Sequence, residues 1–216
     1  MRFLLPLLAL GAACAASPAH ATDLLNGKDM SGWTLVTPTP SDINQVCVVG
    51  GDGTVAVAGK PIGYLVAAGT YTNYQLHVEW RWPANTPKNT NGGVLIHIAT
   101  GPIDRNTWPK SIQVQTKVTR GGDLLPMAGA TFAEPLSTKP GAAVPQLNRM
   151  NPSSEKPYGE WNSADISCHD GVLECSINGV AQNKVTGCNP ASGQIGLQLE
   201  GFPFDLRNIH IETSSP

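Results

Sequence analysis

The sequence predicts an all-β protein. Short stretches in which apolar and polar residues alternate recur along the chain, and turn-forming residues separate them; this is the pattern of half-buried strands. The composition agrees, with 23 Gly and 18 Pro but only 14% charged residues in a chain of 216. No segment shows a convincing helical repeat of apolar residues. The chain is long enough for one large β domain with its own core.

The first residues have the features of a secretory signal peptide. Arg2 precedes the apolar stretch 3–16, and Ala19-His20-Ala21 forms a small-x-small cleavage site. The apolar stretch is too short and too rich in Ala to span a bilayer stably. We therefore expect cleavage after Ala21, a single domain over residues 22–216, and a periplasmic or secreted location. A lipid anchor at Cys14 is the alternative.

Twelve strands are predicted in the mature chain, separated by turn residues. They cover residues 34–36, 47–49, 54–58, 64–67, 74–82, 93–98, 111–119, 161–168, 172–177, 180–184, 193–199 and 204–212. Turns are expected at Gly51-Asp52-Gly53, Asp170-Gly171 and Asn178-Gly179, because tight hairpin turns favour Asn-Gly and Asp-Gly pairs.

Residues 120–159 break this alternation. The segment is rich in Gly, Pro and Ala and has little periodicity. An insert of this length in a compact domain is usually a lid, a binding loop or a disordered stretch. Since a strong strand precedes it and another follows, it belongs to the same sandwich. We predict a long loop folded over one end or one face of a sheet.

The clearest strand covers residues 74–82, whose apolar and polar side chains fall on opposite sides. Its polar side carries His77, Glu79 and Arg81 in one row. An ordinary solvated face would more often show Thr, Ser and Lys. Side chains that can bind a ligand, orient it and move protons favour a strand at the floor of a polar groove.

Three further strands also carry polar residues on one face. These are His97 in 93–98, Gln113, Gln115 and Lys117 in 111–119, and Gln198 in 193–199. If all four strands are neighbours in one sheet, this face forms a concave polar floor. The alternative is a plain solvated face, since sandwich strands generally alternate apolar and polar residues. Trp108 and Tyr158 lie in loops near the strand ends, where a sugar ring could stack on them.

Four cysteines remain after the cleavage site. In an oxidising compartment this number favours two disulfides, with three possible pairings. We expect Cys168 with Cys175 across the hairpin turn, in a diagonal arrangement, and Cys47 with Cys188. Buried free thiols are the alternative. A zinc site is less favoured because no CxxC pair is present.

The charge pattern excludes some classes of partner. The formal net charge is −2, and Lys and Arg are scattered along the chain, whereas nucleic-acid binding needs a clustered basic face. No segment after the leader is apolar enough to span a membrane. A carbohydrate ligand is the expected partner, and the sequence leaves the oligomeric state open.

Several motifs, in order along the mature chain, resemble those of the DUF1080 family, the 3-keto-disaccharide hydrolases. The opening LLNGKDMSGW is similar to the family's LFNGKDLSGW, and residues 74–81 resemble its FxLxxEFR strand. The matches continue with Asn91-Gly92-Gly93-Val94 for NSGI, residues 112–115 for YEVQ, KPYGEWN for KPxGEWN, and the closing residues 204–211.

The resemblance implies a concanavalin A-like jelly-roll sandwich of two antiparallel sheets, related in architecture to family 16 glucanases. It also implies action on glycosides oxidised at C3. The chain departs from the family pattern at three places. Gly92 stands in place of the Ser of NSG, Gln113 in place of the Glu of YEVQ, and Thr116-Lys117 where an acid is expected.

The chemistry implied by the resemblance needs a base, a group that holds an enolate oxygen and an acid for the leaving oxygen. We expect His97 or Glu79 as the base, Arg81 at the oxyanion and Glu160 as a second acid or base. The expected substrate-binding residues are His77, Asn91, Trp108, Gln113, Gln115, Lys117, Tyr158 and Gln198.

Each role has a structural alternative. Glu79 and Arg81 could form ion pairs across neighbouring strands, His97 could be a satisfied surface residue, and Glu160 could anchor a loop. A lectin-like module without catalysis is the alternative function. No cofactor is required, although a divalent metal could act as a Lewis acid. An ordinary glucanase is disfavoured because the chain lacks the ExDxxE pattern.

Overall fold

Fourteen strands and one short helix make up the described part of the chain, residues 20–213, in a computed structural model. Strands account for 47% of the residues and helix for 2%, so the all-β prediction is confirmed. No helix among these residues is long and apolar enough to cross a membrane. The predicted leader and Cys14 lie outside the described residues, apart from the leader's last two positions.

The elements follow one another along the chain with short connections, except before β10. They are β1 His20–Asp23, β2 Trp33–Val36, α1 Ile43–Val46, β3 Cys47–Val49, β4 Val55–Val57, β5 Gly63–Ala67, β6 Tyr74–Arg81, β7 Gly93–Asp104, β8 Trp108–Gln115, β9 Leu124–Met127, β10 Asn162–His169, β11 Val172–Ile177, β12 Val180–Val185, β13 Gln194–Leu199 and β14 Phe204–Thr213.

The strands form two antiparallel sheets. The eight-stranded sheet has the order β12-β11-β10-β6-β14-β4-β3, with β1 also paired to β14. The six-stranded sheet has the order β2-β5-β13-β7-β8-β9. The jelly-roll prediction of a two-sheet sandwich is therefore confirmed.

Apolar residues from the inner faces of both sheets form one core. The alternation on β6 explains its part, because Leu76, Val78 and Trp80 are buried while their neighbours face outwards. Ile112 and Val114 on β8 pack into the same core from the opposite sheet. This packing fixes which face of each sheet remains available for a ligand.

All twelve predicted strands are present, with ends that shift by up to six residues, the largest shift being at the end of β7. The strands that the sequence did not reveal are β1 and β9, each with only four residues. The four-residue helix α1 was also missed. Such short elements offer too few alternations to stand out, and Pro126 lies inside β9, where its missing N–H argues against a strand.

The predicted loop 120–159 is thus corrected in part, because β9 lies within it. The remainder crosses from β9, at the edge of one sheet, to β12, at the edge of the other. Met150 N donates to Gln182 O at 2.7 Å, and Asn151 Nδ2 donates to Ala181 O at 2.7 Å. This insert therefore covers the edge strand β12, which would otherwise present unpaired backbone groups.

Neither expected disulfide is present, because all four cysteines of the described chain are buried free thiols. Cys168 pairs with Leu173 and Cys175 with Ile166, a diagonal relation that keeps Cα atoms about 7–8 Å apart, beyond the usual span of a disulfide. Cys47 lies in the edge strand β3, whereas Cys188 bonds to the β10–β11 turn at Gly171, near the other edge.

Candidate functional site

The four strands expected to share one polar floor do not lie in one sheet. β6 belongs to the eight-stranded sheet, whereas β7, β8 and β13 belong to the six-stranded sheet. The two polar faces therefore lie on opposite outer surfaces of the sandwich. The prediction of a floor shared by His77, Glu79 and Arg81 with the other strands is wrong, because alternation fixes the faces of a strand but not its neighbours.

His97 is also not where alternation places it. A register shift interrupts the pairing of β7 with β8 after Ile96, and His97 has a φ of 56°. The ring consequently turns into the core, where it packs edge-on against Tyr74 with ring centroids 5.7 Å apart. Its Nδ1 lies 3.0 Å from the carbonyl oxygen of Pro190, and burial lowers the pKa of His97.

On the outer face of β6, the charged row is occupied by its own partners. Arg207 and Asn208 on β14 donate to the Glu79 carboxylate, and Arg81 donates to Asp205 at 2.7 and 2.9 Å. Burial alone would raise the pKa of Glu79, but these hydrogen bonds and the Arg207 charge bring it below its ordinary value. Such a carboxylate is a weak base, which agrees with the ion-pair alternative.

His77 completes this row. Its Nδ1 lies 2.6 Å from Asp165 on β10, and its ring stacks on His210 with centroids 4.9 Å apart. Arg81 and Arg207 contact the ring of Trp161, at 4.6 and 4.1 Å from its centroid. The row therefore fixes strand β6 between β10 and β14.

A pocket of about 640 Å³ lies on the outer face of the six-stranded sheet. Its lining includes six of the residues predicted to bind substrate, namely Asn91, Trp108, Gln113, Gln115, Lys117 and Gln198. The structure thus brings together the polar residues of β8 and β13 and the adjoining loops. Its volume falls in the range of small-molecule sites.

The pocket floor holds a chain of amides. Gln113 Nε2 donates to the side-chain oxygens of Gln115 and Gln198, the latter at 2.9 Å. Gln198 Nε2 in turn donates to Glu200 Oε1 at 2.8 Å. The three glutamines are buried, with 6% exposure or less, so this chain holds their side chains in fixed orientations.

Gly93 makes this chain possible. Gly93 lies on β7, the strand between β8 and β13. The side chain of Gln113 on β8 must therefore pass over β7 to reach Gln198 on β13. A Cβ at position 93 would lie 2.4 Å from Gln113 Nε2 and 2.6 Å from its Cγ, closer than non-bonded atoms approach. The glycine therefore leaves space for the amide that links the two polar strands.

Two carboxylates line the pocket, Asp104 and Glu200, and the sequence analysis selected neither. Glu200 is the one bonded to the amide chain. Glu200 follows β13 and lies two residues after Gln198, so alternation places both side chains on one face. This parity was the only indication of Glu200 in the sequence. Burial raises the pKa of Glu200 above its ordinary value, while the positive charges of Arg105 and Lys117 oppose the shift. A carboxylate with a raised pKa is a stronger base, which is the property that proton abstraction from carbon needs.

The insert forms one wall of the pocket and is fastened by Asp123. The Asp123 carboxylate is fully buried and accepts from Gln146 Nε2 at 2.8 Å and from Arg149 N at 2.7 Å. The guanidinium groups of Arg120 and Arg149 lie 3.6 and 3.8 Å away. Burial raises the pKa of Asp123 in spite of these partners.

Two further predicted residues lie away from this pocket. Tyr158 lines a separate depression of about 210 Å³ beside Trp82, and its hydroxyl donates to the Pro87 carbonyl at 3.2 Å. Glu160 is exposed in the turn before β10. Neither side chain lines the amide floor. Within residues 20–213, no group of three or more His, Cys, Asp or Glu side chains is arranged to hold a metal ion.

Solved structures with the same fold come from several bacteria. A candidate glycosyl hydrolase of Parabacteroides distasonis matches with a TM-score of 0.65 and 21% identity, over 90% of this chain and 94% of that chain. The Bacillus licheniformis beta-glucanase has a TM-score of 0.54 and 10% identity over 92% and 98%. The carbohydrate binding module CBM66 of Bacillus subtilis has a TM-score of 0.55 and 10% identity, over 84% of this chain and 96% of that chain. These similarities establish the fold.

Family membership comes from the sequence itself. No curated protein sequence matches the chain significantly. The sequence profile of the family described as a 3-keto-alpha-glucoside-1,2-lyase-like domain matches residues 20–212, which is nearly all of the described chain. The chain therefore belongs to the 3-keto-alpha-glucoside-1,2-lyase-like family, as its motifs indicate.

Proposed function

We propose that this protein is an exported carbohydrate-active enzyme that cleaves glycosides oxidised at C3, by elimination and hydration in the pocket of the six-stranded sheet. Family membership supports this chemistry. The names of structures with the same fold, a candidate glycosyl hydrolase, a beta-glucanase and a carbohydrate binding module, support a sugar ligand. The signal-like N-terminus supports export.

The reaction begins with proton removal. A ketone at C3 acidifies the C2 hydrogen, and the Glu200 carboxylate takes this proton while negative charge moves to the ketone oxygen. The positive charges of Arg105 and Lys117, which act on Glu200, are also available to stabilise this oxygen. The pair of electrons then forms the C1–C2 double bond as the bond from C1 to the leaving oxygen breaks.

The second half of the reaction returns a free sugar. The leaving oxygen takes up the proton from Glu200, which returns the carboxylate to its charged form. Water then adds across the C1–C2 double bond, with its hydroxyl at C1 and its hydrogen at C2. The products are a 3-keto sugar and the alcohol that was attached to C1. The buried amides of Gln113, Gln115 and Gln198 are placed to hold sugar hydroxyls throughout.

The observation that carries this proposal is the hydrogen-bonded chain from Gln113 through Gln198 to Glu200. Its amides are hydrogen-bonded in fixed orientations beside a carboxylate whose pKa is raised by burial, which supports a role in binding hydroxyl groups. Preorganised polar groups of this kind are typical of a ligand site, and elimination requires a base beside the sugar.

The decisive test is incubation with a 3-keto-disaccharide in D₂O. Elimination followed by hydration predicts release of the two sugars, with one solvent deuterium at C2 of the 3-keto product. Glu200→Gln should abolish both the release and the deuterium incorporation. Release without deuterium at C2 would show that the glycosidic bond is cleaved by direct displacement.

A lectin-like module without catalysis is the second candidate. Gln113 stands where the family motif YEVQ, which residues 112–115 resemble, has Glu. The pocket floor is built from neutral amides. Such a floor can bind hydroxyls without moving protons. The same incubation distinguishes the two candidates, because a lectin would bind the 3-keto-disaccharide in calorimetry and release no reducing sugar from it.

A further inference from the structure

The pocket is divided into a polar side and an apolar side. Across the six-stranded sheet, β13 and β8 contribute Gln198, Gln113 and Gln115, whereas the edge strand β9 contributes Leu125 and Met127. Leu125 pairs directly with Gln113 in the β8–β9 register, and directly paired residues share one face of a sheet. The polarity of the floor therefore changes at the boundary between β8 and β9.

The insert continues the apolar side above β9. Leu147 forms an isolated bridge with Leu124 of β9, so the residues just before Leu147 lie beside β9. Five of them line the pocket, namely Ala142, Ala143, Val144, Pro145 and Gln146. Within the ranges 125–129 and 142–145, every side chain that lines the pocket is apolar. The next residue, Gln146, uses its amide on Asp123 and Asn148.

We propose that the pocket selects glycosides whose leaving group is a flat apolar alcohol, such as a phenol, rather than a second sugar. This inference rests on the proposed function and adds the identity of the leaving group. The sugar lies over Gln113 and Gln198, with C1 directed towards Met127 and Val144. A sugar in the leaving position would bring its hydroxyls against side chains that offer no hydrogen bond, at a cost in binding free energy.

Size and exposure agree with this assignment. A pocket of about 640 Å³ has room for one sugar ring and one aromatic ring. Val144 is 49% exposed although it lines this pocket, so an aromatic ring placed beside it would remove apolar surface from water. Met127 packs against the apolar cluster that includes Trp108, and its flexible thioether can adapt to aromatic rings of different shape.

The test compares ligands that differ only at the leaving group. Phenyl and methyl 3-keto-glucosides and a 3-keto-disaccharide are titrated by calorimetry into the full-length Glu200→Gln variant, which should bind them without turnover. We expect the phenyl glucoside to bind at least about tenfold more tightly than either of the others, because the phenyl group buries apolar surface on the β9 side.

Substitutions on the apolar side should reduce this preference. Val144→Thr and Met127→Gln, each combined with Glu200→Gln, are expected to weaken binding of the phenyl glucoside several-fold and to leave methyl glucoside binding unchanged. The matched control is Val48→Thr, since Val48 is 60% exposed on β3, in the other sheet, and it should change neither affinity. Melting temperatures verify that all three variants fold.

The possible results separate the two proposals. Equal affinity for the phenyl glucoside, the methyl glucoside and the disaccharide, or an unchanged preference in Val144→Thr and Met127→Gln, would overturn the leaving-group inference and leave the proposed function standing. If none of these ligands binds and the wild-type protein releases no sugar from them, the proposed function fails and the inference fails with it.

Discussion

Glu79 and Glu200 are both partly buried carboxylates, yet their surroundings shift their pKa values in opposite directions. Hydrogen bonds from Asn208 and Arg207 to Glu79 outweigh burial and lower its pKa, whereas burial dominates at Glu200 and raises its pKa. The carboxylate already bonded to an arginine has little tendency to accept a proton. We therefore propose Glu200 as the base, in place of Glu79 or His97, which the sequence analysis expected.

The pH dependence of turnover follows from this shift. A base works only when deprotonated, so kcat/KM should fall as the pH drops through the pKa of Glu200, which lies above the ordinary value of 4.5. Glu200→Gln should reduce kcat/KM by roughly 10²–10⁴-fold, whereas Glu79→Gln should keep both the rate and the acidic limb. A pH profile of each variant checks this, and normal turnover in Glu200→Gln would contradict it.

The need for a glycine at position 93 can also be tested by substitution. Gly93→Ala should displace the Gln113 amide, because the new Cβ would lie 2.4 Å from Nε2. We expect binding of a 3-keto-glycoside to weaken about tenfold or more as the amide chain to Gln198 breaks. Gly51→Ala is the control, since open space surrounds Gly51, and calorimetry should show unchanged affinity. Equal affinity in Gly93→Ala would show that the chain is not needed.

Individual residues also show how far alternation can be trusted. Alternation correctly grouped Gln113, Gln115 and Gln198 on one face. Glu200 has the same parity as Gln198, but the sequence contained no reason to select it. Alternation failed at His97, where the register shift in β7 reverses it. A bulge of this kind has no clear marker in the sequence, because His97 is not a glycine and yet adopts a positive φ.

Among the elements, the insert depends on the buried carboxylate of Asp123. Asp123→Ala should leave Arg149 N and the Gln146 amide without their acceptor and two guanidinium groups without their counter-charge. We expect a loss of about 3–5 kcal/mol in unfolding free energy, which corresponds to a melting temperature lower by roughly 6–20 °C. Thermal unfolding measures the change.

Glu174→Gln is the control for this prediction. Glu174 forms an ion pair with Lys184 at 2.7 Å, but both side chains are more than half exposed, and such pairs contribute at most about 1 kcal/mol. A decrease in melting temperature for Asp123→Ala no larger than that for Glu174→Gln would show that the insert does not depend on Asp123.

Strand neighbours explain why the site could be predicted only in part. Alternation identified twelve strands and the inner face of each, because burial on one side imposes a two-residue period. It could not show that β6 pairs with β10 and β14 while β8 pairs with β7 and β9. These pairings depend on contacts between residues far apart in the sequence, so the polar faces of β6 and β8 could not be assigned to opposite surfaces.

For the molecule as a whole, the fold is held without disulfides in its described part. Burial raises the pKa of Cys47, Cys168 and Cys175 to about 12 and that of Cys188 to about 11. Because the thiolate is the reactive form, these cysteines should resist alkylation in the native protein and react after unfolding in denaturant. Mass spectrometry counts the modified groups, and a reductant should leave the melting temperature unchanged.

The sandwich presents two polar surfaces, one on each sheet, and we assign binding to only one of them. On the eight-stranded sheet the charges are paired with one another, whereas the six-stranded sheet holds a pocket with an amide floor and a basic carboxylate. A crystal structure of the Glu200→Gln protein soaked with a 3-keto-glycoside tests this assignment directly. We predict sugar density over Gln113 and Gln198; density over Trp161 and His77, with an empty pocket, would contradict it.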